Sequence, residues 1–337
     1  MFSLRPFELS FCVSCAKTCE QKYMTNRVDT ICGDLVRSNS GLLSVLLRDC
    51  TLSTPDRQVN IFWATDDYSG YGGDLYGYDA DITEEALAGM PDGSIMRRVM
   101  KHPDRQTLRS KQRAEVFTPA WLCNAQNNLV DEAWFGRKGV FNTETVGADG
   151  VPRWEESDGK IVFPKGRTWM HYVRARRLEM ACGEAPYLAS RHDATTGAAI
   201  PLGHRVGMLD RKFRVINENV SAAPTQANRR QWLRKAYQAM QSVYGYDWQG
   251  DNVFLAREAL LSTFCEYYAD RWHEVPNMKT LMKVAEIVAW NVWQMDGISC
   301  TVPQRAGRAG ACCRIMEWHS AEPLAGTTVL FRNLIEK

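Results

Sequence analysis

No run of eighteen apolar residues occurs in this 337-residue chain, so no segment reads as a membrane-spanning helix. Charge of one sign is also lacking. The 41 lysines and arginines against 39 aspartates and glutamates leave a net charge of +2. Bulk charge therefore does not draw the chain to nucleic acid, and only local basic clusters can. Arg5 near the N-terminus is followed by Glu8 and by no long apolar core, so a secretory signal is not expected and the cytoplasm is. The eleven cysteines are odd in number and scattered, which excludes a secreted disulfide framework. Cys12, Cys15 and Cys19 cluster, but only Cys32 is near enough to be a fourth ligand and its spacing does not match. No metal site is expected. No internal repeat is present.

The chain does have enough apolar material to bury a core: 45% hydrophobic and 24% charged residues, as in ordinary globular proteins. Its length suits one large domain or two ordinary ones. Residues 1–90 read as a mixed α/β region, with a break at 38–41, a strand over 59–64 and a Gly/Tyr/Asp-rich loop over 66–81. Residues 91–337 read as an α/β domain with loop-rich insertions near 136–168 and 189–228. A helix is expected over 120–130 after Pro119, with Thr118 as its cap. Short strands at 178–182, 243–247 and 290–295 alternate with helices over 231–242, 253–271 and 281–289. That alternation predicts a parallel α/β sheet. A β-hairpin is expected beyond residue 311.

In such a sheet, ligands sit at the carboxyl ends of the strands. Three strand ends here carry chemistry. Glu179 and Gly183 follow the first strand, and a glycine there admits close approach of a ligand. Asp247 ends the second and can accept hydrogen bonds from sugar hydroxyls. Asp296 ends the third, although Asp before Gly is also a plain turn signal. Asp251 reads as the N-cap of the helix that follows it. Upstream, Arg97, Arg98, Lys101, His102, Arg105, Arg109, Lys111 and Arg113 form a basic run broken only by Asp104. It reads either as a solvated face or as a set of contacts to DNA phosphates.

Taken in order, Glu115-Val116-Phe117-Thr118-Pro119, Leu178-Glu179-Met180-Ala181-Cys182-Gly183-Glu184-Ala185-Pro186-Tyr187-Leu188, Tyr244-Gly245-Tyr246-Asp247 and Asn291-Val292-Trp293-Gln294-Met295-Asp296 resemble the cofactor-binding half of an N6-adenine DNA methyltransferase. The likeness is to the methylase subunit of type I systems and to the fused single-chain type II enzymes, over roughly residues 90–335. It implies a Rossmann-like sheet and S-adenosylmethionine as cofactor. Phe117, Thr118, Pro119, Glu179, Gly183, Glu184, Asp247 and Asp296 would form its pocket, and Arg98, Lys101, Arg105, Arg109, Lys111 and Arg113 would lie on DNA. The chain departs from the family at several points: Met295 replaces its glycine before Asp296, and the insertions near 136–168 and 189–228 are absent from its compact pattern. Ala185 replaces its second glycine, and the catalytic Asn-Pro-Pro-Tyr that follows the hairpin in the family is absent.

The resemblance therefore implies a subunit, or the N-terminal part, of a restriction-modification DNA methyltransferase. Its sheet would be incomplete, and a second chain would supply the catalytic motif and target recognition. Two alternatives stay open: a non-catalytic DNA-binding or regulatory protein derived from such a methylase, and a self-sufficient transferase using Glu184 to Tyr187.

Overall fold

The computed structural model describes residues 36, 38–90, 95–97, 99, 118–306, 310–319 and 325–335, and it is mixed α/β. Helix α1 (Ser40–Leu47) begins at the expected break because the Asn39 side chain accepts from the Leu42 N–H at 2.9 Å. The apolar run 59–64, read as a strand, is held by isolated bridges instead, Arg48 to Asn60 and Phe62 to Asp81. The cause lies at Phe62. Its N–H and C=O are both taken by the Gln294 side-chain amide, at 3.1 and 2.9 Å, which replaces a neighbouring strand. The 66–81 loop holds a 3-10 turn (Ser69–Tyr71) and a short helix, α2 (Gly73–Tyr76), and is followed by α3 (Glu84–Ala88), capped by Thr83.

Helix α4 (Ala120–Phe135) stops at the left-handed Gly136. The insertion at 136–168 is not only loop. It contains an antiparallel hairpin, β1 (Asn142–Val146) with β2 (Pro152–Glu156), in which Asn142 alone is buried. Helix α5 (Trp169–Arg174) then leads into β3 (Arg177–Met180). The insertion at 189–228 is likewise more regular than its sequence suggests, because it carries α6 (Met208–Asn219). There Asp210, Arg211 and Lys212 are buried beside Leu209 and Phe213. Arg211 pairs with Asp131 at 2.6 Å, and Lys212 donates to the Val173 carbonyl at 3.0 Å.

The remaining elements are α7 (Gln226–Met240), β4 (Val243–Asp247), α8 (Gly250–Trp272), α9 (Met278–Asn291), β5 (Val292–Gln294), β6 (Arg314–Trp318), β7 (Gly326–Leu330) and α10 (Arg332–Ile335). Strands β3, β4 and β5 form a parallel sheet in that order, and β6 and β7 the expected hairpin. Helices α6 and α7 cross from β3 to β4, and α8 and α9 from β4 to β5. Side-chain alternation sorts the two faces. Val243 and Val292 enter the larger core with Leu46, Trp63, Phe264 and Val288. Tyr244 and Trp293 face the other way, against Ile315 and Phe331 of the hairpin region. Leu178 and Met180, in register with Tyr244 and Tyr246, remain 41% and 69% exposed. Among the described residues β3 pairs with β4 alone. No helix among them is long and apolar enough to cross a membrane.

Arg257, fully buried in α8, ties these layers together. Its guanidinium donates to the carbonyls of Leu46, Arg48, Ala289 and Val292 at 2.5–3.0 Å. Burial pulls it down to about 10, so it stays charged at neutral pH. Arg257→Met leaves four buried acceptors without their donor. The expected cost is about 3 kcal/mol or more, read as a lowered urea midpoint with unchanged slope.

Candidate functional site

Beyond Met180 the chain turns over the end of the sheet. Ala181, Gly183 and Ala185 lie at φ 48°, 52° and 60°, in the left-handed region, with intervening residues outside it. Glycine holds this conformation freely, whereas each alanine costs roughly 1–2 kcal/mol. Ala185 thus adopts a glycine conformation at the position where the resembling family has glycine. Four hydrogen bonds tie the turn to the strands. Cys182 N–H donates to the Tyr246 carbonyl at 2.8 Å and Gly183 N–H to Asp247 Oδ2 at 2.9 Å. Tyr187 and Leu188 N–H donate to the two oxygens of Glu179 at 3.3 and 3.1 Å. On the side of Gly183 where a side chain would project, no atom of the described residues beyond its chain neighbours lies within 4 Å.

The second strand end is equally organised. Asp247 is buried, and its other oxygen accepts from Gln249 N–H at 3.0 Å and from the Asn252 amide at 3.1 Å. Trp248 beside it is 39% exposed. Asp251 is not a cap. Gln249 precedes α8, and Asp251 sits buried in its first turn, accepting from the Tyr68 hydroxyl at 2.8 Å. Gly250 is required here, because a Cβ would stand 2.0 Å from the Phe62 carbonyl oxygen. At the third strand end Met295 N–H donates to the Asp247 carbonyl at 2.9 Å, which sets Asp296 next in line. The Asp296 carboxylate serves its own turn, accepting from Ile298 N–H at 2.9 Å and Ser299 Oγ at 2.7 Å. Burial would raise its pKa, but these bonds outweigh burial and lower it.

Thr118 and Pro119 join this assembly through two contacts. Tyr187 is hydrogen-bonded to Thr118. The first N–H of α4, at Ala120, donates to Asp193 Oδ2 at 2.7 Å. Thr118 is therefore not the cap of α4: Pro119 occupies that position with no side-chain bond, and Asp193, 73 residues away, supplies the acceptor. Asp193 and Asn127, which donates to the Tyr187 and Val206 carbonyls at 3.0 Å, carry no sequence signal that marks them. Phe117 and the basic residues Arg98, Lys101, Arg105, Arg109, Lys111 and Arg113 lie outside the described residues. Arg97 and Val99 are described, and they contact His192 and Gly197. Glu184 is half-buried within the turn.

Glu179 is the electrostatically unusual member. Burial, reinforced by the negative charge of Asp247, pushes its carboxyl up to about 8, against the opposing pull of the Tyr187 and Leu188 N–H groups. A cavity of about 310 Å3 lies elsewhere, lined by Arg205, Arg211 and Arg214 among others. Each of these guanidiniums is already held by a carboxylate, Glu266, Asp131 and Glu218 respectively. The strand ends, with open space at Gly183, are the better candidate.

The Glu179 pKa makes a stability prediction with a definite sign. Its ordinary value is 4.5 and its folded value about 8, so the folded state keeps a proton that the unfolded chain releases. The Glu179 contribution is complete below pH 4.5, fades as pH rises toward about 8, and is constant above that. Unfolding free energies of the parent minus those of Glu179→Gln are expected to fall from pH 5 to pH 8. A difference that rises with pH refutes this.

Three parallel strands thus bring Glu179, Gly183 and Asp247 together, with Asp296 adjacent and Thr118 touching the same turn. No protein-family model, no curated protein and no solved structure matches this chain.

Proposed function

We propose that this chain is a subunit, or the N-terminal part, of a restriction-modification DNA adenine-N6 methyltransferase, with its parallel strands as the cofactor-binding half of a Rossmann-like sheet. The observation that carries the reading is the hydrogen bond from Gly183 N–H to Asp247 across the carboxyl ends of two adjacent parallel strands, beside open space. That is where α/β sheets take nucleotides. S-adenosylmethionine would supply the methyl group when bound. Asp247, the acid at this strand end, would meet the ribose hydroxyls as in the resembling family, and the exposed ring of Trp248 would offer a face to adenine. Thr118 and Pro119, with Glu184, would line the methionine side, and Asp296 would accept from the exocyclic amine.

Methylation of adenine needs groups that hold a flipped base, which the Asn-Pro-Pro-Tyr motif provides in this family. A second polypeptide, or further sequence of the same one, would carry that motif and target recognition. The edge of β3 that pairs with no strand among the described residues, with Leu178 and Met180 exposed, supports such a partner, because an open apolar edge invites strand pairing. The basic run is assigned to DNA phosphates. Its described flanks, Arg97 and Val99 on one side and Ala120 on the other, all contact the 192–197 loop. The cytoplasm is the proposed location.

Two experiments test this. Calorimetry with S-adenosylmethionine is expected to show binding, and Asp247→Ala to weaken it by about 1.5–3 kcal/mol through loss of charged acceptors. A parent protein that binds no cofactor sets the methyltransferase reading aside in favour of a regulatory one. For DNA, neutralising Arg98 with Lys101, or Arg105 with Arg109, is expected to weaken binding equally on all sequences and flatten its salt dependence. A loss confined to one sequence, measured by fluorescence anisotropy, contradicts phosphate contact.

A further inference from the structure

We infer that the cavity along α6 binds a small zwitterion of the amino-acid class, with its carboxylate on Arg205 and its ammonium on Glu156. This second site is separate from the strand ends and does not depend on the cofactor reading.

The cavity holds about 310 Å3, a size at the lower end for small-molecule pockets. One wall is a face of α6, where Asp210, Arg211, Arg214, Asn217 and Glu218 recur at helical spacing. From Asp210 to Glu218 that face runs about 12 Å. Phe141, Leu202 and Val206 add apolar surface. Phe141, Val206 and Tyr267 are buried while Gly203 and Asp270 are exposed, so the cavity has a closed side and a mouth. Most of its polar lining is already occupied. Arg211 and Arg214 have every guanidinium nitrogen bonded within the protein. Glu218 gives one oxygen to Arg214 and the other to Ile161 N–H, each at 2.9 Å. Asp210 accepts from Ser190 with one oxygen, and its other oxygen is fully buried.

Three lining groups keep open capacity. The Arg205 side chain is only 2% exposed, with Nε on the Ile200 carbonyl at 3.1 Å and Nη1 on Glu266 at 2.5 Å. Glu266 is shared, because Arg191 takes both of its oxygens through Nε and Nη2 at 3.1 and 3.0 Å. Nη2 of Arg205 is left with no partner among the described residues, and it is not sealed from solvent-sized space. The cavity is the space this side chain lines. Glu156 ends β2 with Oε1 on His204 Nδ1 at 2.7 Å, and its Oε2 carries no bond among the described residues. His204 immediately precedes Arg205, so the open carboxylate oxygen and the open guanidinium nitrogen flank one stretch of loop. Farther along α6, Asn217 accepts from Trp232 Nε1 at 2.7 Å and leaves its Nδ2 unused among the described residues. One buried cationic donor beside one carboxylate oxygen complements a ligand that carries both charges. An anion alone leaves Glu156 unmet, and a cation alone is set against Arg205. The apolar wall takes the side chain of such a ligand, and Asn217 favours a side chain ending in an acceptor. Glutamine has all three features.

The test is titration calorimetry of the full chain with L-glutamine, beside N-acetyl-L-glutamine, which lacks the ammonium, and L-glutaminamide, which lacks the carboxylate. L-glutamine is expected to bind, and each derivative to bind about tenfold more weakly or worse through loss of one charged hydrogen bond. Glu156→Gln changes a half-buried residue of the hairpin. It is expected to remove the advantage of glutamine over its N-acetyl derivative while keeping the advantage over glutaminamide. Arg205→Gln is expected to do the reverse. Should that buried variant fail to fold by circular dichroism, Glu156→Gln and the two derivatives decide. No binding of L-glutamine overturns the inference, and so does binding that both derivatives match or that a folded Glu156→Gln leaves unchanged.

Discussion

A single buried guanidinium sets where everything else in this structure can stand. Arg257 projects from α8 into a space closed by the ends of α1 and α9 and by the first residue of β5. It satisfies a carbonyl from each, and a fourth at Arg48. Carbonyls at helix ends lack intrahelical partners, and burying them unmet is costly. One side chain with five fixed donors resolves this for three elements together. Because α8 begins three residues after Asp247, the anchor also fixes how far that aspartate projects from the sheet. Gly250, pressed against the Phe62 carbonyl, locks the same helix at its first residue.

The strand ends follow a related logic with carboxylates. Asp247 and Glu179 each accept backbone N–H groups from the turn after β3, and between them they shape a loop that carries two left-handed alanines. The strain of those alanines is offset only while the acceptors are in place. The turn's conformation is thus not a property of its own sequence. It depends on residues of two strands, and any change at one carboxylate is felt along the whole turn.

The parts of this fold legible in the sequence were those with a clean period. The strands at 178–182, 243–247 and 290–295 and the helices between them emerge at close to their expected positions, because apolar alternation and spacing report burial directly. Helix α6 was hidden because Asp210, Arg211 and Lys212 interrupt its apolar face, and they are buried only by virtue of partners far along the chain. The β1–β2 hairpin was hidden for the opposite reason, having almost nothing buried. The run at 59–64 looked like a strand since it is apolar and β-branched, but its pairing partner is a glutamine side chain. At the candidate site, Glu179, Gly183 and Asp247 were legible as strand-end residues. Asp193 was not, since a carboxylate that caps a distant helix leaves no local pattern.

That cap has a kinetic meaning. Helix α4 has no side chain of its own to close its first turn, and its acceptor arrives from Asp193, beyond β3 and the whole hairpin insertion. Contacts of such long sequence separation require loop closure before they return any stabilisation. The first turn of α4 is therefore closed only once the 192–197 loop has reached it. On a nascent chain, α4 emerges well before the residue that completes it, so its N-terminus stays frayed until that residue has been synthesised.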